Sequence, residues 1–184
     1  MDSQKYSIGL HPWHSADADA DAVLERIRLL AERPWVAAIG ECGVDPAKGA
    51  PMFRQMLLFR QQVEIAEMAG KPMVIHAVKS PDVIIGVRND LKATRAWAIH
   101  GFRSKPSVAE MYLRAGLWLS YGPRFNADAL RATPPDRILA ETDADNSSIT
   151  DVLAIQAEAL AMNLKDYTML IAGNTARFLG MDSD

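Results

Sequence analysis

Residues 37–41 read AAIGE, and this short apolar run ends on a carboxylate at Glu41. Three further apolar runs end in the same way, on an imidazole or a carboxylate: PMVIH (72–76), WAIH (97–100) and RILAETD (137–143). Such side chains are costly to place beside buried aliphatic residues unless they have a partner or a function. Four of them at the ends of strand-like runs indicate one convergent site at the C-terminal edge of parallel strands.

Six apolar runs predict β-strands buried on both faces, because apolar and polar residues do not alternate in them. These runs are Tyr6–Leu10, Val36–Ile39, Met73–His76, Ala96–His100, Leu117–Tyr121 and Ile138–Ala140. Helical patterns fill the gaps, and strands alternating with helices predict a parallel sheet. The predicted fold class is therefore α/β, a TIM-barrel-like parallel βα repeat that is incomplete, with about six of the eight barrel strands visible.

Composition predicts one globular domain over residues 1–184, since the chain is too short for two ordinary domains. The net charge of −3 argues against a broad electrostatic grip on nucleic acid but leaves room for a locally held phosphate. The single cysteine, Cys42, favours a cytoplasmic protein. No apolar stretch approaches the roughly 20 residues of a membrane span, so no membrane partner is predicted.

The residues at the strand ends suit a metal site. Two imidazoles and two carboxylates, from His76, His100, Glu41 and Asp143, match a divalent ion such as Mg²⁺, Mn²⁺ or Zn²⁺. Such an ion polarises a phosphoryl or carbonyl oxygen and lowers the pKa of a bound water. Asp143 is either a ligand or the base toward that water.

Further candidates lie close to these four in the sequence. His11, in GLHPWH, follows the first strand and is predicted to face the substrate. Lys79 and Arg103 each follow a strand-end histidine and are predicted to bind an anionic substrate. Asp45, in GECGVD, either orients a metal ligand or caps the following turn.

Aromatic residues and the cysteine have plainer interpretations. Trp13, Trp35, Trp97 and Trp118 lie in or beside strand runs, which favours the core over a platform for stacking bases. Cys42 has no base in its own motif and is interpreted as a small apolar filler.

Seven motifs together resemble the TatD-like metal-dependent hydrolases of the amidohydrolase (TIM-barrel) superfamily. In the family's order they are GLHPWH (9–14), IGECGVD (39–45), KPMVIHAVKS (71–80), IHGFRSKP (99–106), LSYG (119–122), LAETDAD (139–145) and NTARFLG (174–180). They span nearly the whole chain, and the pair GECGVD and ETD is specific.

The resemblance implies a (β/α)₈ barrel and a Mg²⁺-dependent deoxyribonuclease with two metal sites. Carried over onto this sequence, it implies that Glu41, His76 and His100 hold one metal, while Glu41 and Asp143 share in the other. Glu41 and Asp143 are then the catalytic carboxylates.

The chain departs from the family at its beginning, because members open with an aspartate-x-His-x-His strand and this sequence contains no His-x-His. Either the chain is truncated, or it is a natural member that has dispensed with the first metal site. Both explanations leave unpaired edges on Tyr6–Leu10 and Ile138–Ala140. We therefore expect a homodimer that covers these edges, or a poorly stable monomer.

Three functions remain open at this point. The first is metal-dependent hydrolysis of phosphodiester bonds in DNA or a related nucleic acid. The second is hydrolysis of a non-nucleic amide or ester, since one fold hosts many activities. The third is a catalytically impaired remnant that only binds metal, which the missing His-x-His favours.

Overall fold

A computed structural model describes residues 4–181 of the chain. Within these residues there are six strands: β1 (Tyr6–Ile8), β2 (Val36–Val44), β3 (Met73–Ala77), β4 (Trp97–Ile99), β5 (Trp118–Tyr121) and β6 (Ile138–Ala140). The helices are α1 (Ala20–Leu30), α2 (Met52–Ala69), α3 (Pro81–Asp90), α4 (Pro106–Arg114), α5 (Ala127–Ala132), α6 (Ile149–Ala159) and α7 (Leu164–Leu179). Short 3₁₀ turns lie at Pro12–His14 and Pro135–Arg137. All six predicted strands are present, which confirms the α/β class.

The chain divides into two compact units, Met1–Trp97 and Ala98–Asp184. In the first unit, β2 pairs in parallel with both β1 and β3. In the second unit, β5 pairs in parallel with both β4 and β6. A helix separates each pair of successive strands, because parallel neighbours need a connection that crosses back over the sheet.

Strand β2 is longer than the sequence predicts, and this affects where Glu41 lies. It runs to Val44, so the predicted end at Ile39 is wrong. Between Ile39 and Cys42 the register with β3 shifts by one residue, which is a β-bulge. Gly40 and Gly43 make the continuation possible, since both have positive φ and approach the β3 backbone closely. Glu41 therefore lies within a bulged strand rather than at its end.

The core of each unit is made of aliphatic and aromatic side chains from the strands and helices. In the first unit it includes Val36, Ile39, Phe59, Val63, Met73, Ile75, Ile84 and Trp97. In the second unit it includes Leu119, Tyr121, Ile138, Val152 and Tyr167. Cys42 is fully buried, and burial raises the pKa of its thiol, which confirms its interpretation as an apolar filler.

The tryptophans divide into two groups. Trp97 and Trp118 are 0% and 6% exposed, as predicted for core residues. Trp13 and Trp35 are 45% and 37% exposed, so their assignment to the core is wrong. Both lie in connections, one in the 3₁₀ turn after β1 and the other directly before β2, where neighbouring strands do not enclose the ring. Within residues 4–181, none of the helices has the length and apolar character to span a membrane.

Candidate metal centre

Three side chains of the first unit meet near the C-terminal ends of its strands. His11 follows β1, Glu41 lies in β2 and His76 lies in β3. The Nε2 atom of His11 is 3.2 Å from Nδ1 of His76 and 3.6 Å from Oε2 of Glu41. The same Glu41 oxygen is 3.8 Å from Nδ1 of His76. All three side chains are partly buried, so their mutual interactions are less screened than those of surface charges.

Two buried glutamines of α2 hold the main chain that carries this cluster. The Gln62 amide accepts a hydrogen bond from the N–H of Leu10 at 2.7 Å and donates to its carbonyl at 3.1 Å. Since Leu10 directly precedes His11, Gln62 fixes the main-chain position from which the His11 side chain extends. About two turns earlier on the helix, Gln55 accepts from the N–H of Asp45 at 2.7 Å and donates to its carbonyl at 2.9 Å.

The carboxylate of Asp45 connects the turn after β1 to His76. Its Oδ2 atom accepts a hydrogen bond from Nε1 of Trp13 at 2.7 Å and lies 3.5 Å from Nε2 of His76. Its Oδ1 atom accepts from the N–H of Ala47 at 2.9 Å. Burial raises the pKa of Asp45, but these hydrogen bonds and His76 together lower it more, so its pKa lies below the ordinary value. The carboxylate caps its own turn and lies beside His76, and its role in orienting a metal ligand stays a prediction.

The two imidazoles have different polar neighbours. Nδ1 of His11 accepts from the main-chain N–H of Trp13 at 3.2 Å, so neutral His11 carries its proton on Nε2. Nε2 of His76 lies 3.5 Å from the Asp45 carboxylate, which only accepts hydrogen bonds, and this position favours a neutral His76 with its proton on Nε2 and its lone pair on Nδ1. In these tautomers Nδ1 of His76 presents a lone pair, whereas Nε2 of His11 presents an N–H.

The donor set fits a divalent cation. Ligand atoms bonded to one tetrahedral ion at about 2.0–2.1 Å lie roughly 3.3 Å from one another. Nδ1 of His76 and Oε2 of Glu41 are 3.8 Å apart, close enough to bind one ion, and the protonated Nε2 of His11 lies beside both as a hydrogen-bond donor. One carboxylate and one imidazole are also donors that Zn²⁺ and Mn²⁺ accept.

A second histidine arrangement lies in the other unit. His100 directly follows β4, and its Nδ1 atom is 2.8 Å from Oε1 of Glu141. Glu141 is itself fixed, because it accepts from the N–H of Gly101 at 2.8 Å and from the hydroxyl of Ser120. The opposite ring nitrogen, Nε2 of His100, is 3.9 Å from Oδ2 of Asp143. Glu141 therefore orients the imidazole toward Asp143.

The two basic candidates lie on the connections after their strands. Lys79 is two residues beyond β3 and Arg103 four residues beyond β4, and both side chains are exposed. Exposure leaves each cation accessible to a phosphate, but their binding role stays a prediction.

Comparison with known sequences identifies the family. A sequence model of the family described as TatD related DNase matches residues 2–174. The chain belongs to this family. Among TatD relatives, the 3'-5' ssDNA/RNA exonuclease TatD of Erwinia amylovora is 30% identical over 148 residues. The metal-dependent hydrolase YjjV of Escherichia coli K12 is 30% identical over 150 residues. In both cases the match covers 75% of this chain and 57% of the relative, so the chain spans a little over half their length.

Solved TatD structures confirm the fold. The crystal structure of YjjV, a TatD homologue from E. coli K12, superimposes with a TM-score of 0.85 over 97% of this chain and 77% of that chain, at 23% identity. The predicted TIM-barrel-like α/β repeat with six strands is therefore confirmed.

Sequence reasoning missed two residues of this TatD-family arrangement. Glu141 follows the apolar run of β6 as closely as Glu41 follows its own run, so the same signal was present in ETD. Gln62 gave no signal, because a glutamine on an amphipathic helix normally faces solvent. Gln62 is buried because α2 packs against the segment after β1, and the sequence pattern does not record this packing.

Proposed function

We propose that this chain is a metal-dependent hydrolase that cleaves phosphodiester bonds of DNA or a related nucleic acid. The observation that carries the proposal is the approach of His76 Nδ1 and Glu41 Oε2 to 3.8 Å, with His11 Nε2 beside both. Membership of the TatD family supports it, and so does the nuclease activity in the name of the Erwinia relative.

The proposed metal ligands are Glu41 and His76 in the first unit and His100 and Asp143 in the second. A bound divalent ion, Mg²⁺, Mn²⁺ or Zn²⁺, would supply Lewis-acid polarisation of the phosphoryl oxygen and a lowered pKa for water. Asp45 and Glu141 hold the imidazoles of His76 and His100 with one nitrogen directed at a carboxylate. This orients the other ring nitrogen of each imidazole so that it can bind a metal ion.

The remaining steps fall to the chain's own groups. Asp143, whose side chain is 54% exposed, can accept the proton of an attacking water. The Nε2–H of His11 can donate to a phosphate oxygen of the substrate. Lys79 and Arg103 neutralise the phosphate charge that grows as the bond breaks.

Metal-dependent turnover of a labelled single-stranded oligonucleotide tests the proposal. We expect chelation to stop cleavage and added Mg²⁺ or Mn²⁺ to restore it, and Glu41→Gln and His76→Ala to abolish it. His14→Ala is the matched control, because this exposed imidazole pairs with Asp17 at 2.9 Å and lies outside the cluster. If the Glu41 and His76 variants cleave at the wild-type rate, the nuclease proposal fails.

A parallel substrate panel separates the other two functions. Cleavage of amide or ester substrates without cleavage of the oligonucleotide would identify a hydrolase of non-nucleic substrates. Stoichiometric metal binding without turnover of any substrate would identify a metal-binding remnant.

Three further properties of the chain are also proposed. The family model matches residues 2–174, nearly the whole chain, which supports one domain over residues 1–184. A homodimer that covers the β1 edge is proposed because Tyr6, in that strand, is 49% exposed; light scattering of the purified chain tests it. A cytoplasmic location is proposed because the chain has a single cysteine, Cys42. Cell fractionation tests it.

A further inference from the structure

The indole of Trp13 is an exposed aromatic surface next to the first-unit cluster. Its ring centroid lies 4.9 Å from that of His11 and 5.9 Å from that of His76. The residue is 45% exposed, although large apolar rings are usually enclosed. None of the proposed catalytic steps uses the face of this ring.

Contacts on two sides keep Trp13 in a fixed orientation. Its Nε1–H donates to Oδ2 of Asp45 at 2.7 Å, which sets the direction of the ring plane. The turn that carries it packs tightly against the loop after β2, because a Cβ atom on Gly49 would lie only 2.1 Å from the carbonyl oxygen of Pro12. The ring therefore needs little ordering before it binds a partner.

A cation lies on the ring. Nζ of Lys48 is 3.6 Å from the centroid of the Trp13 indole, a cation–π contact. The main chain of Lys48 is held, since its carbonyl accepts from Nε2 of Gln55 at 2.7 Å. Its four-carbon stem is flexible, so the ammonium can move to a nearby anion while the backbone stays in place.

We propose that Trp13 and Lys48 form a subsite for single-stranded nucleic acid, with a nucleobase stacked on the indole and the adjacent phosphate bound by the ammonium. This rests on the proposed nuclease function and assigns two residues of this chain to the binding of a single-stranded substrate. Aromatic rings and cations along one groove are how proteins bind single strands without reading their sequence. A base paired in a duplex is stacked on its neighbours, so it cannot present its face to Trp13.

The competing explanation is structural, because Trp13 could serve only to orient Asp45 through Nε1. The two roles differ in what they require. Stacking requires the ring face and a base on the ligand, whereas orientation of Asp45 requires the N–H and is indifferent to the ligand's bases. Trp13→Phe keeps a ring face and removes the N–H, and Trp13→Ala removes both.

Binding of fluorescein-labelled oligo(dT) and of an abasic strand of equal length tests the subsite. Anisotropy is measured with EDTA present, which stops metal-dependent cleavage. Wild type should bind oligo(dT) at least about fivefold more tightly than the abasic strand. Trp13→Ala should remove this preference by weakening oligo(dT) binding alone, and Trp13→Phe should retain part of it. Lys48→Ala should weaken both strands and reduce the salt dependence of binding.

Trp35→Ala is the matched control, since Trp35 is 37% exposed in the same unit but packs on Tyr6, and it should keep the wild-type preference. Equal preference in wild type and in both Trp13 variants, with unchanged thermal unfolding, would overturn the subsite while leaving the nuclease proposal intact. Wild-type protein that neither binds nor cleaves any oligonucleotide would overturn both.

Discussion

Nδ1 of His100 lies 2.8 Å from Oε1 of Glu141. Because a carboxylate only accepts hydrogen bonds, this contact assigns the imidazole proton to Nδ1 and the lone pair to Nε2. Glu141 is held in turn by Gly101 and Ser120, so the orientation of His100 depends on a chain of contacts that begins in β5.

Glu141→Gln should therefore lower metal affinity or turnover without unfolding the protein. The amide cannot accept from both Gly101 and Ser120 as the carboxylate does, and it lacks the charge that makes His100 a better ligand. We expect about 10–100-fold lower Mn²⁺ affinity or turnover, measured by calorimetry and oligonucleotide cleavage. Glu110→Gln is the control, since Glu110 pairs with Arg114 on the surface of α4. Equal effects of the two variants would contradict the orienting role.

The tautomer argument predicts that the two histidines of the first unit respond differently to substitution. His76→Gln removes the Nδ1 lone pair and should weaken Mn²⁺ binding. His11→Gln should leave Mn²⁺ affinity near wild type but lower kcat by roughly 10²–10⁴, as loss of a positioned proton donor does. Calorimetry and steady-state kinetics on the same preparations separate these effects. If His11→Gln weakens Mn²⁺ binding as much as His76→Gln, His11 is a ligand.

Gln62→Leu should destabilise the fold through the segment before His11. The substitution keeps the volume but leaves the N–H and carbonyl of Leu10 buried without their amide partner, and each such group costs about 1–3 kcal/mol. Gln61→Leu on the same helix is the control and should change the free energy of unfolding by less than about 0.5 kcal/mol. Urea unfolding followed by circular dichroism measures both, and coincident curves for the two variants would refute the prediction.

Glu67 should make stability depend on pH in the acid range. Its carboxylate accepts from the hydroxyl and N–H of Thr94 and from the N–H of Arg95. Burial raises the pKa of Glu67, but these hydrogen bonds lower it more, so its folded pKa lies below the ordinary value of about 4.3. The stabilisation is therefore fully present above the ordinary pKa and is lost as pH falls through the folded pKa.

Urea midpoints of wild type and Glu67→Gln, measured from neutral to acid pH, check this. The wild-type advantage should be constant near neutral pH and shrink in acid. Glu64→Gln, an exposed position on the same helix, should follow wild type throughout. A wild-type advantage that stays constant into acid would rule the mechanism out.

Much of the fold could be predicted because buried parallel strands leave an unmistakable apolar pattern. The positions of His76 near the end of β3 and of His100 directly after β4 followed from the same pattern. The continuation of β2 through Gly40 and Gly43 could not be predicted in this way. It depends on how closely two backbones approach, and an apolar pattern does not record that distance.

The exposure of Trp13 was equally hidden from the sequence. The apolar ring favours burial, but the 3₁₀ turn at Pro12–His14 places it in a connection, where Asp45 and Lys48 hold it at the surface. The tautomer of His11 also depends on this turn, because the main-chain N–H of Trp13 donates a hydrogen bond to Nδ1 of the imidazole.

A Cβ atom on Gly43 would lie 2.1 Å from the carbonyl oxygen of His76, and one on Gly40 would lie 2.4 Å from that of Val74. The separation between Glu41 and His76 is therefore set by direct contact between the backbones of β2 and β3, not by the size of neighbouring side chains. Over evolutionary time, a lineage can exchange aliphatic residues in this core and still keep both groups at the same spacing.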